Sequence, residues 1–341
     1  MVQNDFYDAF KASLSDPTFD RIYVLSHLNP DGDAVGSACA LTYLLRLSGK
    51  KALYFTETPD HKYAYLSDAW NSDRYGGLFA PEHFITTDTT GFSRLSKLPD
   101  GFSHENEFEL LLSFVIDHHK CNSFSCTHKL VLSEKAAAGE IIFDLYKNCG
   151  IGFDEYSAAA IYTAIATDTG CFRYANTRAS SFLCAAELCE FAPGGSFYEI
   201  NKIHFETKSF KKIKIESYAV ENAIFRINGA LVFSVFDSSE RARLSITDIE
   251  LEGVVSMLRQ IEGVRAAFVL KQQPSGEFKV SVRTDYTAAF GGINAAELCA
   301  CFSGGGHDAA AGCSLSGAPD EIIDLLESAA VKTMNSKNAS V

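Results

Sequence analysis

The chain has 341 residues, 47% of them apolar, with 43 acidic against 30 basic side chains and a net charge of -13. That length and apolar content are enough for two domains with buried cores. The acidic balance argues against nonspecific binding to long nucleic acid, which needs a positive surface. A short phosphorylated ligand is not excluded, because bound divalent cations add positive charge that a sequence count omits. The N-terminus carries Asp5 where a secretory signal would carry basic side chains, and no apolar stretch is long enough to span a bilayer. A cytoplasmic location with no membrane partner is therefore expected. The ten cysteines are scattered without a C-x-x-C pair, which reads as reduced thiols rather than a disulfide framework or a zinc site.

Residues 21–27 are predicted to form a first strand with Ile22, Tyr23, Val24 and Leu25 as its apolar body. A loop through His27, Pro30, Asp31 and Asp33 follows, then a helix over 34–48 closed by Gly49. A second strand over 51–57 completes a strand-helix-strand unit, and so a mainly parallel sheet. Residues 84–88 are a short β-branched run ending in Asp88. Residues 98–107 are polar, with Pro99 and Gly101, and read as a surface loop. The apolar run 110–116 suits a strand buried on both faces and ends in Asp117, His118 and His119. Helices are expected over 136–148 and 156–167, the second running into Asp168, Thr169 and Gly170, with an extended piece over 172–177.

Composition shifts over 190–216, where Pro193, Gly194 and Gly195 break the pattern and lysines cluster between 208 and 214. The expected organisation is a doubly wound α/β domain over 1–190, a helical connection over 191–216 and a smaller mixed α/β domain over 217–341. The lysine cluster reads as a solvated helix face. In the second domain, Asn228-Gly229 between alternating apolar runs signals a two-residue hairpin. A helix over 251–261, strands over 264–271 and 278–283, a helix over 293–302, a glycine-rich run over 304–312 and a final helix from about Asp320 follow.

Three strand ends and one helix end thus deliver His27, Asp31, Asp33, Asp88, His118 and Asp168 to the carboxyl edge of a sheet, where open α/β folds bind ligands. Four carboxylates in one small site would repel one another and raise their pKa values. Two divalent cations, with about +4 of charge and a typical spacing of ~3.5–4 Å, remove that conflict. Oxygen and nitrogen donors without thiolate favour Mn or Mg, and imidazole tilts the choice toward Mn. The remaining histidines, His61, His83, His104, His128 and His204, have no partner at ligand spacing and read as structural. In the glycine run, backbone N–H groups without neighbouring Cβ atoms can close on an anion as a nest, supplemented by His307.

The pattern H-x-x-P-D-x-D-x-x-G-S at 27–37, Asp88 at a strand end, Asp117-His118-His119, Asp168-Thr169-Gly170 and G-G-G-H-x-x-A-A-G at 304–312 resembles the DHH/DHHA1 phosphoesterases. These are relatives of the RecJ catalytic core, and the likeness is greatest to their bifunctional oligoribonuclease and pAp phosphatase branch. The resemblance implies a DHH domain and a DHHA1 domain with the active site in the cleft between them. It further implies that His27, Asp31 and Asp88 hold one cation, that Asp33, Asp88, His118 and Asp168 hold the other, and that Asp88 bridges. Asp117 would orient an imidazole and His119 would face the substrate. Arg283, Gly304, Gly305, Gly306 and His307 would contact its phosphate and nucleotide parts. The implied activity is hydrolysis of short RNA oligonucleotides to mononucleotides and of pAp to AMP and phosphate, by water activated on two Mn ions, with Mg as the alternative. A homodimer is compatible with this reading. Rival readings are an exopolyphosphatase or pyrophosphatase of the same superfamily and a non-catalytic nucleotide-binding sensor.

Overall fold

The computed structural model of the protein describes residues 3–96, 98–248, 250–285 and 292–338. The chain divides into two compact units, 1–207 and 208–341.

The first unit holds helix α1 (Gln3–Ser15), strand β1 (Ile22–Leu25), α2 (Gly32–Leu47), β2 (Ala52–Tyr54), β3 (His83–Thr87), the short α3 (Glu105–Glu109), β4 (Leu112–Asp117), β5 (His128–Val131), α4 (Ala138–Cys149), α5 (Glu155–Asp168), α6 (Ala179–Cys189) and the single turn α7 (Tyr198–Asn201). Its five strands are all parallel in the order β2-β1-β3-β4-β5. The order reverses between β1 and β3, the crevice where doubly wound sheets bind ligands. Successive residues of each strand point to opposite faces. Ile22, Val24, Ile85 and Ile116 pack into one core with α1, α2, α4 and α5, while Tyr23, Leu25, Phe84 and Val115 pack into another with Phe55, Phe108 and Phe124.

The parallel sheet and its apolar strands agree with the sequence reading. Residues 98–107 depart from it: Leu98 and Phe102 pack against the second core, so the segment closes the back of the sheet and is not merely a surface loop. Residues 172–177 are turns rather than extended chain, because Cys171 and Phe172 take φ of 57° and 63°. The sequence reading passed over α1 and β5. The first is anchored by the buried Phe6, Tyr7 and Phe10; the second is a short edge strand in which only Leu130 is fully buried.

Helices α2, α4 and α5 meet almost backbone to backbone. A Cβ added at Gly36 would lie 2.4 Å from the Ala160 carbonyl oxygen and 2.7 Å from the Ala164 nitrogen, and one at Gly139 would lie 2.4 Å from the Ala164 Cβ. Neither obstacle can rotate away. Gly36→Val is accordingly expected to destabilise the protein by about 3 kcal/mol, the upper part of the range for overpacking. Urea unfolding of the two proteins, compared at equal m, checks this.

The second unit contains α8 (Phe210–Glu221), β6 (Ile224–Arg226), β7 (Leu231–Phe236), α9 (Ser238–Arg243), α10 (Val254–Arg259), β8 (Ala266–Gln272), β9 (Phe278–Thr284), α11 (Ala295–Ala300), β10 (Gly305–His307), β11 (Ala310–Leu315) and α12 (Pro319–Asn338). Among the described residues its mixed sheet runs β10-β11-β9-β8-β7-β6, with only β7 and β8 parallel. The hairpin at Asn228-Gly229 is present but wider than two residues: Arg226 pairs with Leu231, and Ile227, Asn228 and Gly229 are all left-handed. The lysines near 208–214 are not a free basic face. Lys211 donates to the Ser245 carbonyl (2.6 Å) and the Glu250 carboxylate, and Lys212 donates to the Glu250 carbonyl (2.8 Å), so they tie α8 to the segment after α9.

Candidate metal centre

The candidate ligands sit at or beside element ends: His27, Asp88 and His118 after β1, β3 and β4, Asp31 and Asp33 at the start of α2, and Asp168 at the end of α5. His27 follows β1, and Asp31 caps α2, its Oδ1 accepting from the N–H groups of Asp33 and Ala34 at 3.1 Å each. The helix thus begins at Gly32, ahead of the predicted start, and Asp33 lies in its first turn. Asp33 is 1% exposed, and its carboxylate accepts from Ala138 N–H (2.6 Å) and Gly139 N–H (3.0 Å). Those donors open α4, whose positive end favours a negative charge there. Asp88 is the residue after β3, 2% exposed, with φ of 50°. Aspartate and asparagine tolerate that left-handed conformation better than most side chains.

The predicted ligands converge. Donor atoms of His27, Asp31 and Asp88 lie within 4.8 Å of one another, as do those of Asp33, His118 and Asp168, and those of Asp88, His118 and His119. His27 Nε2 is 3.7 Å from Asp31 Oδ1 and 3.6 Å from Asp88 Oδ2. His118 Nε2 is 3.4 Å from Asp88 Oδ1, 3.5 Å from Asp33 Oδ2 and 3.9 Å from Asp168 Oδ2. These separations exceed the ~2.7–3.2 Å of ordinary N–H···O bonds. Donors that each sit ~2.1 Å from a shared cation are held about this far apart. Asp88 Oδ1 is moreover a buried oxygen with no hydrogen-bond partner, an expensive state that a cation would relieve. The oxygen and imidazole donors, with no sulfur among them, fit a hard or borderline divalent ion.

The imidazoles are already turned for this. A carbonyl can only accept, so the 2.9 Å contact of His27 Nδ1 with the Leu28 oxygen and the 3.4 Å contact of His118 Nδ1 with the Lys135 oxygen keep a proton on each Nδ1, leaving Nε2 as the nitrogen that can give up its proton to a cation. Both Nε2 atoms are left facing the carboxylates. In the ion-free cluster the charges are poorly matched. Burial opposes the imidazolium form of His27, yet Asp31 and Asp88 raise its pKa to about 10. Burial likewise opposes that of His118, while Asp88 and Asp33 raise it to about 10. Burial and Asp88 push Asp33 well above the usual carboxylate range, and burial pushes Asp168 up to about 6 against the pull of His118. Asp88, despite its burial, is held low by His118 and His27.

Asp117 is fully buried at the end of β4 and spends its oxygens on other partners. Oδ1 accepts from the His118 and His119 N–H groups (2.8 and 3.2 Å) and from His119 Nδ1 (2.8 Å); Oδ2 accepts from Asn122 Nδ2 (2.8 Å). This leaves His119, a third exposed, oriented beside the cluster, with its pKa raised chiefly by the Asp117 bond. Sequence reasoning missed two asparagines. Asn122 also donates to the Thr89 carbonyl (2.9 Å), tying Asp117 to the turn after β3. Asn176 donates to the Asp168 carbonyl (3.0 Å) and to Ala136 (3.2 Å). A lone Asn near a ligand carries no pattern by which sequence could find it.

In the second unit, Arg283 on β9 pairs with Ala310 on β11, which pairs with His307 on β10. Residues directly opposite on antiparallel strands share a face, so Arg283 and His307 flank a small alanine on one face of the sheet. The glycines between 304 and 306 depart from the expected open nest: Gly305 and Gly306 form an edge strand opposite Gly312 and Ala311. A Cβ at Gly304 would lie 2.3 Å from the Gly312 oxygen, and one at Gly306, whose φ is 148°, would lie 2.5 Å from the Ala310 oxygen. Glycine is therefore needed for the close return of the hairpin.

The family model described as DHH family, N-terminal domain, matches residues 21–167, and that described as DHHA1 domain matches 229–332. A bifunctional oligoribonuclease and PAP phosphatase, NrnA, of Thermus thermophilus is 29% identical over 299 residues, covering 87% of this chain and 84% of its own. A probable manganese-dependent inorganic pyrophosphatase of Streptococcus agalactiae is 25% identical over 225 residues, covering 62% of this chain and 69% of its own. Among solved structures, an exopolyphosphatase-related protein from Bacteroides fragilis superposes with a TM-score of 0.82 at 22% identity, covering 98% of each chain; this likeness concerns the fold alone.

Proposed function

Because the chain belongs to the DHH/DHHA1 family of phosphoester hydrolases, we propose that it hydrolyses short oligoribonucleotides to mononucleotides and pAp to AMP and phosphate. The observation that carries the reading is the double facing of Asp88, one carboxylate oxygen toward His27 Nε2 and the other, buried and unpartnered, toward His118 Nε2. A carboxylate presented that way suits two cations side by side. His27, Asp31 and Asp88 would hold one, and Asp33, Asp88, His118 and Asp168 the other, with Mn favoured over Mg by the imidazoles. When bound, such a pair polarises a phosphoryl oxygen and makes water nucleophilic near neutral pH.

The chain's own residues supply the rest. His119, fixed through Nδ1 by Asp117, presents Nε2 to hold a phosphate oxygen or to return a proton to the leaving oxygen. Arg283 offers a bidentate fork for phosphate and His307 a second donor on the same sheet face. The Thermus thermophilus relative, matched over most of both chains, supports nucleotide substrates; the Streptococcus agalactiae relative keeps pyrophosphate as a second reading. Among the described residues no helix is long and apolar enough to cross a membrane.

A substrate panel tests this: pAp, RNA of two to five nucleotides, pApA, polyphosphate and pyrophosphate, each with Mn and with Mg. The expected result is Mn-dependent release of AMP from pAp and of mononucleotides from the short RNAs, each faster than phosphate release from pyrophosphate or polyphosphate. The reverse order would replace the substrate assignment. Tight mononucleotide binding without turnover of any of these would favour a sensor.

A further inference from the structure

Helices α8 and α10 cover one face of the second sheet over β7 and β8, where Val232, Phe236, Ala267 and Val269 pack against them. Farther along the same face, β9 and β11 present Lys279, Ser281, Arg283, Ala310, Gly312 and Ser314. Beyond Gly305, which pairs with Gly312, β10 leaves the edge of β11. A cavity of about 560 Å³ opens there, lined by Glu277, Lys279, Ser281, Phe302, Gly304 and Ser314 among others. Its size lies within the ~300–1,000 Å³ of ligand pockets, and its walls carry one aromatic ring, one cation, hydroxyls and a carboxylate.

Two features point to an anionic occupant. Lys279 stands directly opposite Lys271 on β8, and like charges so placed destabilise a sheet. Burial and Lys279 lower the pKa of Lys271, against which Asp248 acts. Lys279 also lies four residues from Arg283 on the same face of β9, which at ~3.4 Å per residue is roughly 13 Å. Successive phosphates of a short oligonucleotide can span that separation.

Resting on the function proposed above, we infer that this cavity is a subsite for a further nucleotide of an oligoribonucleotide, beyond the part held by Arg283 and His307. Lys279 pairs with a backbone phosphate, Phe302 receives a base, and Glu277, Ser281 and Ser314 take ribose hydroxyls. Cationic tracks beside aromatic platforms bind single strands in this manner. On this reading Lys279 is a determinant of substrate length, its loss weighing more on the longer RNA than on pAp.

The experiment compares wild type, Lys279→Glu, Lys279→Arg and Ser314→Phe on pAp and on three- to five-nucleotide RNA. Lys279 and Ser314 are both exposed, so all three variants keep the core. Lys279→Glu is expected to lower kcat/KM for the longer RNA, relative to that for pAp, about tenfold and through KM. Its dependence of log kcat/KM on log salt should flatten by about 0.7, the increment of one phosphate contact on a single strand. Lys279→Arg should restore both, and Ser314→Phe, which fills the cavity, should lower the same ratio. A ratio within twofold of wild type in Lys279→Glu, or an equal fall on pAp and RNA, would overturn the subsite. Wild type that cleaves neither pAp nor RNA overturns the parent reading, and the subsite with it, before any variant is made.

Discussion

Replacing Asp88 with asparagine is expected to reduce Mn-dependent hydrolysis by ~10³-fold or more while leaving the fold in place. The two halves of this expectation have separate causes. Asparagine tolerates the left-handed backbone of position 88, where φ is 50°, so the turn after β3 survives. The carboxylate's negative charge and one of its two acceptor oxygens are lost, and with them the group that faces both His27 and His118. Losing an outer partner of a bound metal typically lowers affinity or activity ~10–100-fold, and loss of a carboxylate that serves two ions, as proposed for Asp88, should exceed that. Steady-state rates at saturating Mn, Mn binding by calorimetry and a thermal melt without metal check the three parts. A variant keeping a tenth of the wild-type rate would remove the bridging role from Asp88.

The second large effect is a pH dependence of cation binding. Without an ion, His27 and His118 have pKa values raised to about 10. Across neutral pH each of the proposed cations must therefore displace an imidazolium proton. Apparent affinity should rise about tenfold per pH unit for each ion between pH 6.5 and 9, with protons released on binding. Stability follows the same sign. A group whose folded pKa is raised stabilises the protein below its unfolded pKa and loses that contribution as pH climbs through the folded value. For the two histidines the window runs from about 6.5 to about 10, and for Asp168 from about 4 to about 6. The ion-free protein should thus weaken over these windows while the loaded protein does not. The rise in Tm on adding Mn is expected to be larger at pH 8.5 than at pH 6.5, and an equal or smaller rise would refute the linkage.

Much of the candidate centre was legible because His27, Asp88 and His118 follow apolar or β-branched runs, which parallel strands end along one edge, while Asp31 and Asp33 open one helix and Asp168 closes another. The contacts that aim the ligands were not legible. Asp33 is held by N–H groups of Ala138 and Gly139, which any residue but proline would supply, and His118 by the carbonyl of Lys135. Backbone partners leave no trace in residue identity. Helix α1 was readable in principle, since Phe6 and Phe10 are four apart and both buried. Strand β5 was not: at the edge, His128 and Lys129 remain partly exposed and break the apolar run. The glycines near 305 show a third cause, because the same residue serves an anion nest and a tight hairpin, and only the pairing with Gly312 and Ala311 decides the conformation. For 172–177 the extended reading failed on the positive φ of Phe172 and of Cys171 just before it, which composition does not announce.

The sequence positions of the two ligand groups differ in a way that bears on how the protein is made. His27, Asp31 and Asp88 all lie within the first 88 residues, on a strand end, a cap and the neighbouring strand. The group of Asp33, His118 and Asp168 is complete only when the end of α5 has been added, and Asp33 acquires its two N–H donors only when α4 forms. Helix α2, which Asp31 caps, is itself seated on α5 through Gly36, and α4 is seated there through Gly139, so the first group also depends on a helix made late, as expected of a domain that folds as a unit. Both ligand groups therefore wait on the same helix, and a chain ending before α5 is expected to assemble neither.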